Sequence, residues 1–387
     1  SDHVAMLIRF AAAVTPDLGT AGGNAQGFAD AFPSGGGCAI VRATHRCEEA
    51  PMHVISTSDL MGPDWNFLAD LNSDPALTFR SFSSQQPSGL AALVRHPVAA
   101  RVQAAARACR AARHRSDAVL FTHLPMSAAI TNLTRRVMAP RVPQVAFAFN
   151  FTTLRDDTRR KFFARAFRGI AEFAVFSTYE RELYAEAFGI DPTRLAYLPW
   201  TMETPVPGPE NPMAGKGPYV CAVGGEARDY ATFATAMRAR PTLPAAVVAR
   251  DYSLAGVDMP PNVSIFTNLA ASKTWALLAG AEAMVLPLRD ARAACGHITL
   301  VAARLLGIPI IVTDSVGIRD YTGAGRVAAL VPPGSAEAIE VALDRVLGDD
   351  VQRQQARTGV ALARQEHDPR LWLDYVREKA ALLGPAG

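Results

Sequence analysis

Three short stretches of the sequence combine glycine, small polar residues and fixed charge in the way of loops that receive a phosphate. The first is Gly19-Thr20-Ala21-Gly22-Gly23-Asn24 and the second is Gly224-Gly225-Glu226-Ala227-Arg228-Asp229-Tyr230. The third leads from Arg289-Asp290 to Cys295-Gly296-His297, where an apolar helix begins. Each follows an apolar run that reads as a strand, and backbone N–H groups in such loops can approach an anion closely. A helix opening on glycine adds unsatisfied amides and the positive end of its dipole. Arg228 adds a permanent planar cation suited to bidentate phosphate contact. No Gly-Lys-Ser/Thr phosphate loop is present. Nor is there a Gly-x-Gly-x-x-Gly fingerprint followed by a ribose-binding acid, which disfavours a dinucleotide oxidoreductase. No Asp-x-Asp pair suggests a Mg²⁺ or Mn²⁺ clamp.

The elements that must hold these loops alternate between strands and helices. In the first half, "VAMLIRF", "CAIVRA", "PMHVIST", "AVLFTHLP", "QVAFAFNF" and "AVFST" read as strands. Between them lie helical runs such as "PVAARVQAAARACRAARHR", "SAAITNLTRRVM", "RDDTRRKFFARAFRGIAEF" and "YERELYAEAFG", the last closed by a C-cap glycine. A stretch with prolines at 199, 205, 207, 209, 212 and 218 then breaks all periodicity and reads as a linker. The rhythm restarts at "YVCAVGG" and continues through "DYATFATAMRA", "AAVVARD", "VSIFTN", "ASKTWALLAGA", "EAMVLPL", "CGHITLVAARLLG", "IPIIVTD", "RVAALVPP" and "SAEAIEVALDRVLGD". A final amphipathic helix lies in "DPRLWLDYVREKAALLG". Strands alternating with helices of this length imply parallel sheets, so the fold class is α/β with two Rossmann-like, doubly wound domains. In open sheets of this kind, ligands sit at the carboxyl ends of the strands, here in the cleft between the domains.

Composition agrees with that reading and excludes others. The 387 residues exceed one ordinary domain, and 49% hydrophobic with 19% charged residues fits a globular α/β protein. A net charge of +3 is too small to imply a nucleic-acid partner. Five scattered cysteines without Cys-x-x-Cys spacing argue against a disulfide framework or a zinc site. With no long apolar span and no basic region ahead of "VAMLIRFAAAV", the expectation is a cytoplasmic protein. Arginines at 101, 107, 110, 113 and 115 share one helix. They read first as a solvated face, and in the sharper reading as a peripheral contact with the inner face of a membrane.

Several pieces of the second half taken together resemble the nucleotide-sugar domain of GT-B glycosyltransferases, closest to the retaining family-4 type (glycosyl transferases group 1). They are "AVGGEARDYATF", "AEAMVLPLRDARAACGHITLVAARLLGIPIIVTDSVGIRDY" and "VAALVPPGSAEAIEVALDRVL". "FSTYERELYAEAFGIDPTRLAYLPW" looks like the end of that family's first domain. The resemblance implies residues 1–200 as the acceptor-side domain, 201–217 as linker and 218–367 as the donor-binding domain, with helix 368–384 packing back on the first. It implies that Arg228 and the helix start Gly296-His297-Ile298-Thr299 hold the donor diphosphate, and that Gly22 and Gly23 close over it. His123 in "THLP" would contact the donor sugar near the reacting carbon, and Asp290 would take a sugar contact. Thr267 and Asn268 lie near the nucleoside, and Asn150, ending a strand that faces the cleft, is the acceptor-side candidate. Counting back from Gly307, the family's two acids fall on Ala294 and Ala302, so the ribose contact differs here.

The implied activity is a hexosyltransferase that moves sugar from a nucleotide diphosphate donor, UDP-linked by expectation, to a hydroxyl acceptor with retention. It implies no cofactor and no metal; the leaving phosphate itself takes the acceptor's proton. The acceptor is a small molecule, a polysaccharide or a lipid-linked sugar. Two alternatives stay open. One is a catalytically impaired nucleotide-sugar-binding protein, which the two alanines permit; the other is a sugar-nucleotide epimerase or phosphorylase of the same architecture.

Overall fold

The computed structural model describes residues 51–59, 69–89, 91–92, 96–151, 154, 157–323, 325–348 and 350–384. The glycine loop with Gly22 and Gly23, and the runs read as strands at 4–10 and 38–43, lie outside the described residues. The first half runs β1 (Met52–Ser58), β2 (Leu77–Ser83), α1 (Pro97–Ala112), β3 (Ala118–His123), α2 (Pro125–Met138), β4 (Gln144–Phe147), α3 (Asp157–Ala166), β5 (Glu172–Val175), α4 (Thr178–Phe188) and β6 (Leu195–Tyr197). Its six strands form one parallel sheet in the order β2-β1-β3-β4-β5-β6.

The second half continues with β7 (Val220–Val223), α5 (Tyr230–Arg238), β8 (Ala245–Ala249), β9 (Val263–Thr267), α6 (Ala271–Ala279), β10 (Ala283–Leu286), α7 (His297–Leu305), β11 (Ile310–Thr313), α8 (Arg319–Thr322), β12 (Ala329–Val331) and α9 (Ala336–Gly348). These strands form a second parallel sheet, β12-β11-β10-β7-β8-β9. Three helices close the chain: α10 (Asp350–Thr358), α11 (Val360–Glu366) and α12 (Arg370–Leu383).

Central strands β3, β4, β7, β10 and β11 are buried at every residue. Helices cover both faces of a parallel sheet, so these strands read as unbroken apolar runs and are legible in sequence. Strand β2 is not legible. "LTFRSFS" is an edge strand with no fully buried residue, so it carries neither a solid apolar run nor a clean alternation. Helix α10 has no buried residue and escapes pattern reading for the same reason. "RDDTRRKFFARAFRGIAEF" divides into helix α3 and strand β5, with Gly169 in a left-handed turn between them.

Helix α12 crosses back to the first sheet. Trp372, Leu373, Val376 and Ala380 join Val54, Val119, Phe121 and Phe147 in one apolar cluster. The Trp372 ring stands edge-on to Phe147 at 5.1 Å, and its Nε1 donates to Pro199 O at 2.8 Å.

The two halves meet at a buried hub. Tyr321, 1% exposed, donates its hydroxyl to Phe176 O at 2.7 Å and accepts from Trp200 N at 2.8 Å. Its ring packs against His297 at 4.8 Å and stacks on His367 at 5.8 Å. His367 Nδ1 lies 2.8 Å from Trp200 O, an acceptor, which fixes the proton on Nδ1. Nε2 is then free to accept from Arg304 Nη1 at 2.6 Å. Asp320 caps the opposite domain's helix α4, accepting from Thr178 N at 2.8 Å and Thr178 Oγ1 at 2.9 Å.

Two consequences are measurable. Tyr321→Phe keeps the ring but strands two buried backbone groups, so it should cost about 1–3 kcal/mol in urea unfolding. A loss below a few tenths would mean that water replaces the hydroxyl.

The second concerns acid. Burial pushes His123, His297 and His367 each down to about 4 from 6.5. Between those values the unfolded chain binds protons that the folded chain refuses, so stability falls as pH drops through that window. Glu180, pushed up to about 7 by burial, works in the opposite sense between 7 and 4.5. Three groups outweigh one, so the thermal midpoint should be lower at pH 5 than at pH 7. An equal or higher midpoint at pH 5 contradicts the histidine burial.

Candidate functional site

Loops at the carboxyl ends of β7 and β10 build the centre of the site. After β7 the backbone turns through Gly224, at φ +128°, a conformation that side chains rarely adopt. A Cβ there would also stand 2.3 Å from Arg228 Nη2, so glycine makes the room that the guanidinium occupies. Arg228 is 4% exposed. Its Nε donates to Val223 O at 3.2 Å, Nη1 to Glu226 O at 2.7 Å, and Nη2 to Thr299 Oγ1 at 3.2 Å. Burial lowers its pKa from 12.5, and among the described residues no carboxylate contacts it directly. Three oxygens hold a cation beside the first turn of α7.

Helix α7 opens on Gly296, at φ +104°. Its absent Cβ would lie 3.0 Å from Leu286 Cδ2, so any larger residue would crowd that side chain at the end of β10 as well as strain the backbone. No side chain caps this end. Leu300 N is the first amide bonded back, to Gly296 O at 2.9 Å, and the amides ahead of it have no partner within the helix. Thr299 Oγ1 returns to Gly296 O at 3.1 Å while receiving Arg228, so the arginine and the helix start form one unit.

The neighbouring loop is tied to the same place. Arg289 N donates to Ala227 O at 3.0 Å, and Asp229 N donates to Pro287 O at 2.9 Å. Asp290 follows directly, exposed, with its carboxylate receiving Arg292 N at 2.7 Å. The structure therefore brings together Arg228, Asp290, Gly296 and Thr299.

Side chains at the helix start take separate directions. Ile298 is 45% exposed. His297 is buried against Phe176 of the first domain and Tyr321, so its ring serves the hub and only its backbone belongs to the helix end. The His297 ring therefore does not face solvent.

His123 ends β3 as a buried group, with Nδ1 2.9 Å from Ser58 Oγ at the end of β1. It is neutral at pH 7. Thr267 and Asn268 sit at the end of β9, both exposed, with Asn268 receiving Arg250 Nη1 at 2.8 Å and donating to Asp251 at 3.2 Å. Tyr252 beside them is 59% exposed and meets the Glu226 carboxylate, which links the loops after β7 and β8. Neither Glu226 nor Tyr252 stands out in the sequence. No motif spacing joins them, and only the adjacency of β7 and β8 does.

Asn150 does not present a free amide. Its Nδ2 donates to Glu180 Oε1 at 2.5 Å and to Ala294 O at 3.4 Å. Ala302 is buried in the core of the second domain. The five arginines do not share one helix, since α1 ends at Ala112 and leaves Arg113 and Arg115 beyond it. Arg101 pairs with Asp59 at 2.7 Å, Arg107 lies over the Phe82 ring at 5.6 Å, and Arg115 meets His53. No helix among the described residues is long and apolar enough to cross a membrane.

Comparison with known proteins matches part of the second half to a family and the whole arrangement to a fold. Residues 255–360 match the glycosyl transferases group 1 family. No curated protein matches the chain by sequence. HepE from Anabaena, solved with UDP and glucose, superposes with a TM-score of 0.62 at 13% identity, over 85% of this chain and 99% of its own. Sucrose-phosphate synthase from Thermosynechococcus elongatus gives 0.63 at 14% identity, over 86% and 98%. An α,α-trehalose-phosphate synthase (UDP-forming) from Burkholderia vietnamiensis gives 0.62 at 11% identity, over 87% and 99%. At these identities the likeness is one of fold, and the expected GT-B architecture of two facing Rossmann-like domains is what it shows. The chain therefore has the GT-B fold, and residues 255–360 within its second half match the glycosyl transferases group 1 family.

Proposed function

We propose that the chain transfers a hexose-type sugar from a UDP-linked donor to a hydroxyl acceptor, with retention and without a metal ion. The observation that carries this reading is the buried Arg228 guanidinium locked to Thr299 in the first turn of α7. Departure of the nucleoside diphosphate develops negative charge. A fixed cation and the open helix amides can stabilise that charge with no reorganisation at the moment of reaction. HepE was solved with UDP and with UDP-glucose, which makes UDP the first nucleotide to test.

In the proposed step the bond between the anomeric carbon and the diphosphate oxygen breaks, and the acceptor oxygen attacks from the same face. The acceptor's proton passes to the departing phosphate oxygen. His123 and Asp290 are assigned to the sugar, Thr267 and Asn268 to the nucleoside. Gly22 and Gly23 are assigned to the phosphate side from sequence alone. Acceptor identity belongs to the first domain, and a lipid-linked acceptor would give the exposed Arg107, Arg110 and Arg113 a role at a membrane surface.

A thermal-shift panel of UDP, GDP, TDP and ADP should show stabilisation by UDP, and no shift with any of them sinks the reading. Arg228→Lys keeps the charge but loses the forked geometry. It should weaken UDP binding by roughly tenfold, measured by calorimetry. Unchanged affinity would place the diphosphate elsewhere. Donor hydrolysis in the absence of acceptor should survive EDTA, and its abolition would require a metal in the step.

A further inference from the structure

One buried carboxylate lies outside the site described above and still touches its frame. Glu180 is 0% exposed, in the first turn of α4. Four donors converge on it. Oε2 receives Phe176 N at 3.1 Å and Ser177 Oγ at 3.0 Å. Oε1 receives Tyr184 Oη at 2.9 Å and Asn150 Nδ2 at 2.5 Å. Part of this is local, because Ser177 Oγ accepts from Glu180 N while Glu180 Oε2 returns to Phe176 N, a capping-box-like pair at the head of α4 that reaches one residue further back. A capping box needs only one carboxylate oxygen. The other is spent on Asn150, from the loop after β4.

Asn150 has one further hydrogen on the same nitrogen, and it points at Ala294 O at 3.4 Å, in the other domain. Ala294 lies two residues before Gly296, where α7 begins. The residues flanking Asn150 are held against α4. Phe151 N donates to Tyr184 Oη at 2.9 Å, and the Phe149 and Phe151 rings pack on Tyr184 at 5.4 and 5.5 Å. The chain of contact is therefore carboxylate, amide, then carbonyl at the head of α7.

We propose that Glu180 is a positioning residue that acts through Asn150, fixing the 292–296 segment and hence the start of α7 against the first domain. The carboxylate's role is chemical as well as spatial. All four of its partners donate, so the ionised form, acceptor-only on both oxygens, satisfies them together, and the protonation that burial favours would turn one oxygen into a donor. Glu180→Gln introduces an N–H₂ that must face one pair of those donors. Because Asn150 has its nitrogen turned toward Glu180, the same nitrogen is directed to Ala294, and a flip of the amide would lose both contacts. The consequence for the diphosphate rests on the functional reading above; the positioning itself does not.

The test uses the full chain and three variants. Asn150→Leu removes the amide while keeping the same branched, four-heavy-atom side chain, and it leaves the Ser177–Glu180 cap intact. Glu180→Gln disturbs both roles, and Ser177→Ala removes the cap with its bond to Oε2 while leaving Oε1 and Asn150 in place. Amide hydrogen exchange over residues 292–297 should quicken about fivefold in Asn150→Leu and Glu180→Gln, as expected for the loss of one anchoring bond. Ser177→Ala should quicken exchange only over residues 178–188. If 292–297 is unaffected by Asn150→Leu, or responds equally to Ser177→Ala, the proposal is overturned. UDP titration separates the two ideas. A fivefold weaker UDP affinity in both Asn150→Leu and Glu180→Gln extends the positioning to the donor. A wild-type chain that ignores UDP refutes the functional reading, and the exchange result still decides the positioning.

Discussion

A single buried hydroxyl sets how the two halves of this protein face each other. Tyr321 belongs to the second domain, yet its oxygen satisfies a carbonyl at the end of β5 and an amide at the start of the linker. The chain leaves the first domain at that point. A buried backbone group without a partner is costly, so the placement of Tyr321 constrains where the linker may run. The proline-rich segment that follows has few backbone conformations open to it, and it forms no helix or strand between β6 and β7. Helix α12 then crosses back, with Trp372 bonded to Pro199 next to the same junction.

With the halves fixed in this way, the carboxyl ends of both sheets meet across one interface. The hub takes the His297 ring from the helix start and leaves that residue's backbone in the first turn. That division explains why a histidine beside a proposed phosphate seat titrates so low and is neutral at pH 7. The cation of the seat is Arg228 instead. Its guanidinium is held by two carbonyls and a hydroxyl, which orient it without cancelling its charge. Arg304 shows the opposite arrangement. Although burial penalises the charge of Glu366, bonds from Arg326 and Arg304 hold that carboxyl at about 2, so this cluster joins α7 to the crossover segment as a paired, structural set.

Much of the site was legible from local pattern. Gly224, Arg228 and Gly296 sit on loops that follow solid apolar strands, with Thr299 in the helix turn that comes next, and glycine in such loops has a steric meaning that survives outside any fold. Glu180 was half legible, since Ser-x-x-Glu ahead of an amphipathic run marks a helix start. Its second role was not, because Asn150 is 30 residues away and Ala294 is 144 residues from Asn150. Asn150 was read as facing an acceptor, and the structure gives its amide to the protein itself. Glu226 and Tyr252 were invisible for the same reason: they meet only because β7 and β8 are neighbours.

The sequence by itself determined the α/β class, the division into two wound halves and the position of the proline break. Those follow from the period of apolar residues and from backbone chemistry, which act over a few residues. It also determined which loops carry glycine and charge. Only the tertiary structure decided what each polar group does there. Hydrogen bonding is short-ranged and directional, so whether His297 faces solvent or a hub, or Asn150 a ligand or a carbonyl, depends on which strands and domains pack together.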